Sequence, residues 1–398
     1  MIKVLELFGG IGACSKALER LGIEYEIADF VEIDKYAVKS FNAMHGTNFE
    51  PQDICEWDKD IEADLILHGS PCQDFSLAGK QAGGDEGSGT RSSLMYETIR
   101  IVEKLKPKYV IWENVKNVIS KKHIHNFNNY IERMKELGYR SYYQVLNAKD
   151  YGIPQNRERV FTISIRNDIE KEFKFPPKQE LKLKLKDMLE PEVDEKYYLS
   201  DKMIKYISAT GTANFRNPDS KINLDIARPL TTDPNKRAGT TNYLSNELPD
   251  NYNLIQIGQL YGTKKESNPQ DGRIYDGDGL TPTLDTKHTP KLLIKNNTKK
   301  GYLEAKPGDG VYTNPSTKRG TVQKSMIQTL TTFQDKGVVL PNLRIRKLTP
   351  KECWRLMGFN DSDFDKAEKV NSNAQLYKQA GNSIVVNVLE AIFQELLK

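Results

Sequence analysis

The sequence predicts an α/β fold: a parallel sheet with helices on both faces, joined to a smaller loop-rich β region. Two observations carry this. From residue 1 to about 166, short runs rich in Val, Ile and Leu alternate with amphipathic stretches, as in a sheet covered on both faces by crossover helices. From 201 to 343 the chain turns to Gly, Asn, Thr, Asp and Pro, with short apolar fragments and no helical period. A mixed α+β domain is the competing reading of the first region.

In chain order, strands are expected at Ile2–Phe8, Ile27–Val31, Leu65–Leu67, Tyr109–Trp112 and Val160–Ile165. Helices are expected at Cys14–Leu21, Lys35–Met44, Tyr96–Leu105 and Ile124–Leu137, where apolar residues recur at helical spacing. Residues 170–200 are dense in Lys and Glu and hold Pro176, Pro177 and Pro191, which reads as a solvated connector with one short helix near Leu183–Leu189. In the middle region a Leu-x-Thr core recurs at Leu230, Leu284 and Leu330. Repeated supersecondary units and chance similarity in Thr-rich sequence both remain open. Thr349-Pro350 is a helix start, with Thr349 as N-cap and Pro350 at N1. A last helix is expected from about Ile384 to Leu397, returning the chain to its first domain. The expected division is 1–166, a connector at 167–200, a middle domain at 201–343 and a C-terminal return at 344–398.

Composition excludes several classes. With 398 residues, 38% hydrophobic and 28% charged, and a mean hydropathy of −0.62, the chain is neither disordered nor collagenous. No apolar run approaches the roughly 20 residues that a bilayer requires. The first residues read as a buried strand, not as a signal peptide. Cys14, Cys55, Cys72 and Cys353 are scattered without a CxxC pair, so no disulfide framework or metal site is expected, and a reducing cytoplasm fits. The formal charge is only +4, yet 201–343 holds 20 basic against 14 acidic residues, +6, leaving the remainder at −2. A basic middle region suits a polyanionic partner.

Four segments carry chemistry. The first is Leu5–Ala13, a strand, a glycine turn and a helix start, with Gly9, Gly10 and Gly12 at the carboxyl end of the first strand. There an open α/β sheet binds small-molecule cofactors. Ser15 stands where a dinucleotide fingerprint needs Gly or Ala, while Glu32, at the next strand end, suits ribose hydroxyls. The second is His68–Ser76, which places Cys72 in a polar turn just past a strand, after a proline that restricts Ser70. A nucleophilic Cys72 needs local help to ionise; an inert thiol is the bland alternative. Residues 77–93 then hold five glycines in 17, which fits either a loop closing over substrate or a tolerated surface loop. The third is Trp112–Val115, bringing Glu113 to the same sheet edge as Cys72. A thiol and a carboxylic acid beside a cofactor suggest addition to an electron-poor ring assisted by protonation; a cap or ion-pair role for Glu113 stays open. The fourth is Tyr151–Phe161, where Arg157 and Arg159 alternate with Glu158 and so share a face. They suit carbonyl or phosphate contacts, or a surface ion-pair row.

Together and in this order, the segments resemble the DNA cytosine-5 methyltransferase family. PheGlyGlyIleGly (8–12) resembles its S-adenosylmethionine loop, ProCysGln (71–73) its nucleophile motif and GluAsnVal (113–115) its acid motif. GlnAsnArgGluArg (155–159) resembles the motif that holds the target base. Residues 346–359 resemble the motif that brace the recognition domain, and GlnAlaGlyAsnSerIle (379–384) the one that completes the cofactor pocket. The resemblance spans about 1–166 and 344–398; 201–343 matches by position alone, as the target-recognition domain. It implies a class I S-adenosylmethionine-dependent methyltransferase fold, Rossmann-like, acting on double-stranded DNA. Phe8, Gly10, Gly12, Glu32, Ile33, Asp53, Asn382 and Ser383 would bind the cofactor. Cys72, Glu113, Arg157 and Arg159 would be catalytic, with Pro71, Gln73, Ser76 and Asn114 at the substrate. Position 9 is Gly where the family often has Ala.

The resemblance also carries the expectation of a monomer without metal, in the cytoplasm of a prokaryote or encoded by a phage, in a restriction–modification setting with or without a cognate endonuclease. Three alternatives stand beside it: a cytosine-5 methyltransferase acting on transfer RNA, a catalytically silent DNA-binding protein, and a nicotinamide-dependent dehydrogenase. The long middle region favours a duplex DNA reader, and Ser15 with the nucleophile motif speaks against the dehydrogenase.

Overall fold

The computed structural model describes residues 1–70, 94–199, 215–216, 256–260, 273–275, 292–298, 301–312, 320–332, 335–340 and 345–398. The glycine-rich stretch 77–93, and the Leu-x-Thr copies at Leu230 and Leu284, lie outside the described residues. The chain divides into two compact units. One comprises Met1–Leu183, Thr329–Phe333 and Pro350–Lys398, the other Lys184–Gln328 and Gln334–Thr349.

The first unit is built on a six-stranded sheet. Its strands are β1 (Ile2–Leu7), β2 (Tyr25–Val31), β3 (Leu65–His68), β4 (Tyr109–Val115), β5 (Tyr139–Asn147) and β6 (Glu158–Arg166), in the order β2-β1-β3-β4-β6-β5. β2, β1, β3 and β4 are parallel, whereas β6 runs antiparallel to both β4 and β5. The sheet is therefore mixed, and the wholly parallel expectation holds for four strands of six. The missing ingredient was β5. Its sequence, YRSYYQVLN, is polar and it forms one edge of the sheet with a half-exposed pattern, so it lacks the apolar run by which buried strands are recognised.

Helices α1 (Ala13–Arg20), α2 (Lys35–His45), α3 (Met95–Leu105) and α4 (Ile124–Glu136) fall where the periodicity places them. Leu5, Leu7, Val31, Ile66, Val110 and Trp112 of the sheet pack with Ile99, Val102, Phe127 and Tyr130 of the helices in one buried cluster. The C-terminal return adds α5 (Pro350–Arg355), α6 (Asp361–Glu368), α7 (Asn373–Asn382) and α8 (Val386–Leu396). α5 begins at Pro350, because a proline at N1 gives up no intrahelical donor.

Polar contacts between sequence-distant helices attach this return to the first domain. Lys16 Nζ on α1 lies 2.8 Å from Asp363 Oδ1 on α6, and both side chains are only 4% exposed. Ser40 Oγ on α2 donates to Gln379 Oε1 on α7 (2.9 Å), Gln379 Nε2 donates to the Tyr36 carbonyl (2.9 Å), and Lys378 pairs with Asp34 (2.7 Å).

In the second unit Gly310–Tyr312 pairs antiparallel with Val322–Gln323 and Lys336–Val339, and the latter pairs with Ile345–Lys347. Leu199, Leu292, Ile294, Ala305, Val311, Val339 and Ile345 form its small core. Leu292–Lys295 pairs with Tyr302–Ala305, and Gln256–Leu260 pairs with Phe215–Arg216 and Arg273–Tyr275. Among the described residues no helix is long and apolar enough to cross a membrane.

The buried pair gives a direct test of how the return is held. Lys16→Met leaves Asp363 buried opposite an apolar side chain, and losing one partner of a buried pair costs about 3 kcal/mol. Urea denaturation of the variant should report a loss of that order.

Candidate active site

The site is assembled from the carboxyl ends of β1, β2, β3 and β4 and from the turn after α7. At the end of β1 the backbone enters the left-handed region at Phe8 (φ 53°), a strained conformation for an aromatic residue. Gly10 follows with φ 59°, and a Cβ there would meet only open space. Here a ligand can approach the main chain. Gly9 and Gly12 are confined by packing, Gly12 also by a left-handed φ of 77°. A Cβ would come within 2.3 Å of the Phe30 ring from Gly9 and within 2.5 Å of the Phe41 ring from Gly12, and these rings stack at 3.7 Å. Of the two glycines expected at the cofactor, then, Gly10 faces open space while Gly12 is dictated by packing. The Phe30 ring also explains why position 9 is Gly and not Ala.

Beneath this loop lies Glu6, fully buried on β1. Its Oε1 accepts from the Ser15 backbone N–H at 3.0 Å and from the Ser15 hydroxyl. Ser15, the residue that breaks the dinucleotide fingerprint, is thus the partner of a buried acid at the start of α1, where the helix dipole favours negative charge. Burial nevertheless dominates and raises the Glu6 carboxyl from 4.5 to about 7.

Glu32, just past β2, accepts from the Gly10 N–H at 3.0 Å and from the Asp34 N–H at 2.8 Å. Burial pushes its carboxyl up against these donors. Each carboxylate oxygen accepts up to two hydrogen bonds, so capacity remains for a hydroxyl donor. Ile33 beside it is 67% exposed, an apolar surface next to that acid. Asp53 sits in a turn anchored through Asp29, which accepts from Gln52 (3.0 Å) and Trp57 (2.7 Å) and pairs with Lys59 (2.7 Å). Its Oδ1 accepts from the Cys55 N–H at 2.9 Å. Asn382, the last residue of α7, is exposed, and Ser383 after it is buried. An open left-handed glycine, an acid with accepting capacity and an apolar rim fit a nucleoside-bearing cofactor.

The second half of the site follows from strand register. His68, the last residue of β3, lies opposite Trp112, so β4 projects past β3 through Glu113, Asn114 and Val115. Side chains alternate along a strand, and the two faces do different things here. Trp112 Nε1 donates to Ser70 Oγ (3.0 Å) and Asn114 Nδ2 to the Ser70 carbonyl (3.4 Å). These bonds hold the residue that precedes Pro71. On the other face Glu113, 9% exposed, pairs through Oε1 with Arg159 Nε at 3.0 Å. A Cβ on Gly69 would lie 3.8 Å from Glu113 Oε2. Pro71, Cys72, Gln73 and Ser76 lie outside the described residues.

The arginines depart from expectation. Arg157 and Arg159 do not share an orientation. Arg157 is 4% exposed and donates to the carbonyls of Leu330 (3.3 Å), Gly381 (3.2 Å) and Ser383 (2.8 Å). The alternation argument failed because β6 begins only at Glu158: Arg157 belongs to the irregular link after Asn156, where period-two geometry does not apply. In this structure the Arg157 guanidinium is thus engaged with the protein's own main chain. Two participants went unnoticed in the sequence. Gln155, in the motif itself, is fully buried between Leu330 and Leu356. The strip Thr329–Phe333, read from sequence as part of the middle region, belongs to the first unit.

The family model for C-5 cytosine-specific DNA methylases matches residues 2–398. The chain belongs to this family. Curated relatives include the orphan methyltransferase M.SPRI of Bacillus phage SPR, 32% identical, with 100% of this chain and 97% of that protein covered. The type II methyltransferase M.HhaI of Haemophilus parahaemolyticus is 31% identical, covering 98% and 93%. Among solved structures, Spodoptera frugiperda DNMT2 in a substituted form aligns over the full length of both chains with a TM-score of 0.60 at 17% identity. A putative DNA modification methyltransferase encoded within an Escherichia coli prophage aligns with 0.55 at 19%. The structural likenesses establish the methyltransferase fold; family and relatives establish DNA cytosine-5 methylation as the activity. Transfer RNA is the less supported substrate.

The buried Glu6 makes stability depend on pH. Its carboxyl titrates near 7 in the folded chain and near 4.5 when exposed, so the folded state binds this proton more tightly. That contribution is complete below about pH 4.5 and is lost as pH rises through 7, by up to about 3 kcal/mol. Glu6→Gln should flatten the corresponding slope in urea unfolding measured between pH 5 and pH 8.

Proposed function

We propose that the chain transfers a methyl group from S-adenosylmethionine to C5 of a cytosine flipped out of a specific duplex DNA sequence, through a covalent bond between Cys72 and C6. What carries this reading is the Glu113–Arg159 pair, mostly shielded and 3.0 Å apart, whose acid lies on the strand next to the one that leads into Cys72. It joins an acid and a cation of fixed geometry where a nucleophile enters, which suits a ring that must gain negative charge during attack.

In this reading Cys72 adds as thiolate to C6 of the extrahelical base. Glu113 faces N3 and the exocyclic amine and shares a proton with the ring as charge builds. Arg159 holds the O2 carbonyl and, through its ion pair, orients Glu113. The electron pair reaches C5, which forms the bond to the incoming methyl group. Loss of the C5 proton then returns electrons to the ring and expels Cys72. Pro71, Gln73 and Ser76 would contact the base, whereas Asn114, on the opposite face of β4 from Glu113, acts by fixing Ser70 ahead of the nucleophile. S-adenosylmethionine would supply the electrophilic methyl group, its sulfonium S–CH3 bond breaking as the C5–CH3 bond forms, so that S-adenosylhomocysteine leaves. Phe8 and Ile33 offer apolar surface to its adenine, Glu32 accepts from the ribose hydroxyls, and Asp53 accepts from the adenine amine. Gly10 lets the methionine portion approach, and Asn382 with Ser383 closes the wall. The enzyme is read as a cytoplasmic monomer; the phage and bacterial sources of its relatives support a prokaryotic setting.

Two substitutions test the roles. Cys72→Ala should abolish incorporation of labelled methyl groups into DNA while leaving the fold and duplex binding intact; measurable turnover would remove Cys72 from the mechanism. Glu113→Gln should slow single-turnover methylation by about a hundredfold, with the equilibrium affinity for S-adenosylhomocysteine nearly unchanged.

A further inference from the structure

The third Leu-x-Thr copy, Thr329–Thr332, is gripped at Leu330 by two side chains of the 155–159 motif. Gln155 accepts from the Leu330 N–H through Oε1 (3.1 Å) and donates through Nε2 to the Leu356 carbonyl (2.8 Å). Arg157 donates to the Leu330 carbonyl and, with the other arm of its guanidinium, to the carbonyls of Gly381 and Ser383. Gly381 abuts the same strip, since a Cβ there would lie 2.5 Å from the Thr331 carbonyl group. The last carbonyls of a helix lack intrahelical partners and carry the negative end of its dipole. α7 has no basic residue in its own last turn, and Arg157 supplies that cation from outside. Its two terminal nitrogens reach carbonyls of two separate segments at once, a span that the single ammonium nitrogen of a lysine does not offer.

We propose that Arg157 is a positioning residue that couples the cofactor wall at Gly381–Ser383 to the Thr329–Thr332 strip, so that filling the cofactor site orders a segment drawn from the middle of the chain. This rests on the cofactor reading above. A cofactor seated against Asn382 and Ser383 restrains the turn whose carbonyls Arg157 holds. The same guanidinium then restrains Leu330, whose N–H is already held by Gln155.

The test uses the wild-type chain first. Saturating S-adenosylhomocysteine should slow amide hydrogen exchange at Leu330 by about tenfold, although Leu330 belongs to a separate segment of the chain from Asn382. Unchanged exchange at Leu330 in the saturated protein would overturn the proposal. If the homocysteine analogue does not bind the wild-type chain, the cofactor reading falls and this inference falls with it. Arg157→Lys keeps the charge but cannot bridge three carbonyls. It should weaken S-adenosylhomocysteine binding and raise KM for S-adenosylmethionine by about tenfold each, with a smaller fall in kcat, and abolish the response at Leu330. A large loss of kcat with unchanged affinity would instead place Arg157 at the chemistry and overturn the positioning role. Should the variant fail to fold, the wild-type exchange result alone decides.

Discussion

The register between β3 and β4 is the constraint on which the rest of the site depends. With His68 opposite Trp112, β3 stops while β4 runs on for three residues, and strand alternation divides those residues between two tasks. Trp112 and Asn114 hold Ser70, and Glu113 turns to Arg159. A slip of one residue would exchange the faces, sending the carboxylate toward Ser70 and leaving Arg159 without its partner. What prevents the slip is burial. Trp112 packs fully buried against Tyr130 (4.3 Å between centroids) and Phe127 (5.7 Å). His68 is buried against the same cluster and bonded to Tyr130 (3.1 Å). Burial holds His68 neutral, its ring pushed down to about 3, so it supports the register as an uncharged partner of Tyr130.

The cofactor side obeys a different constraint, the closeness of β1, β2 and α2. The stacked pair Phe30–Phe41 leaves no room for a Cβ at Gly9 or Gly12, and this close packing brings the Gly10 N–H onto Glu32. The loop is open to a ligand at Gly10 because it is closed to side chains on either side. α7 is then fastened to α2 through Gln379 and Lys378, which brings Asn382 and Ser383 to the same part of the fold as Glu32 despite a separation of some 350 positions in the chain.

Most of the first unit was legible because its strands are apolar and its helices periodic. The four parallel strands and all four N-terminal helices appear within a few residues of their expected limits. β5 was not legible: Tyr142 and Tyr143 lie on an edge strand whose outer face meets solvent, so no apolar run marks it. The residues proposed for the chemistry stand in the sequence as types in order. Glu113 and Arg159 meet as an ion pair between β4 and β6. Arg157 misled because it is itself the irregular residue between the short strand Gln155–Asn156 and β6. Gln155 and Leu330 stand in the sequence as part of a motif and of a repeat, but their meeting gave no signal, since a buried side-chain amide is recognisable only from the main-chain groups it meets.

By itself, then, the sequence determined the local alternation of strands and helices, the family and the kinds of group available at each strand end, because these are properties of short segments. Only the tertiary structure decided which groups meet. Glu113 pairs with Arg159 and not Arg157, Gly10 alone among the loop glycines faces open space, and Thr329–Phe333 joins the first unit. The reason is physical. Buried donors and acceptors must find partners, and those partners lie hundreds of residues away in the chain, 226 from Arg157 to Ser383 and 339 from Ser40 to Gln379, at separations no local pattern encodes.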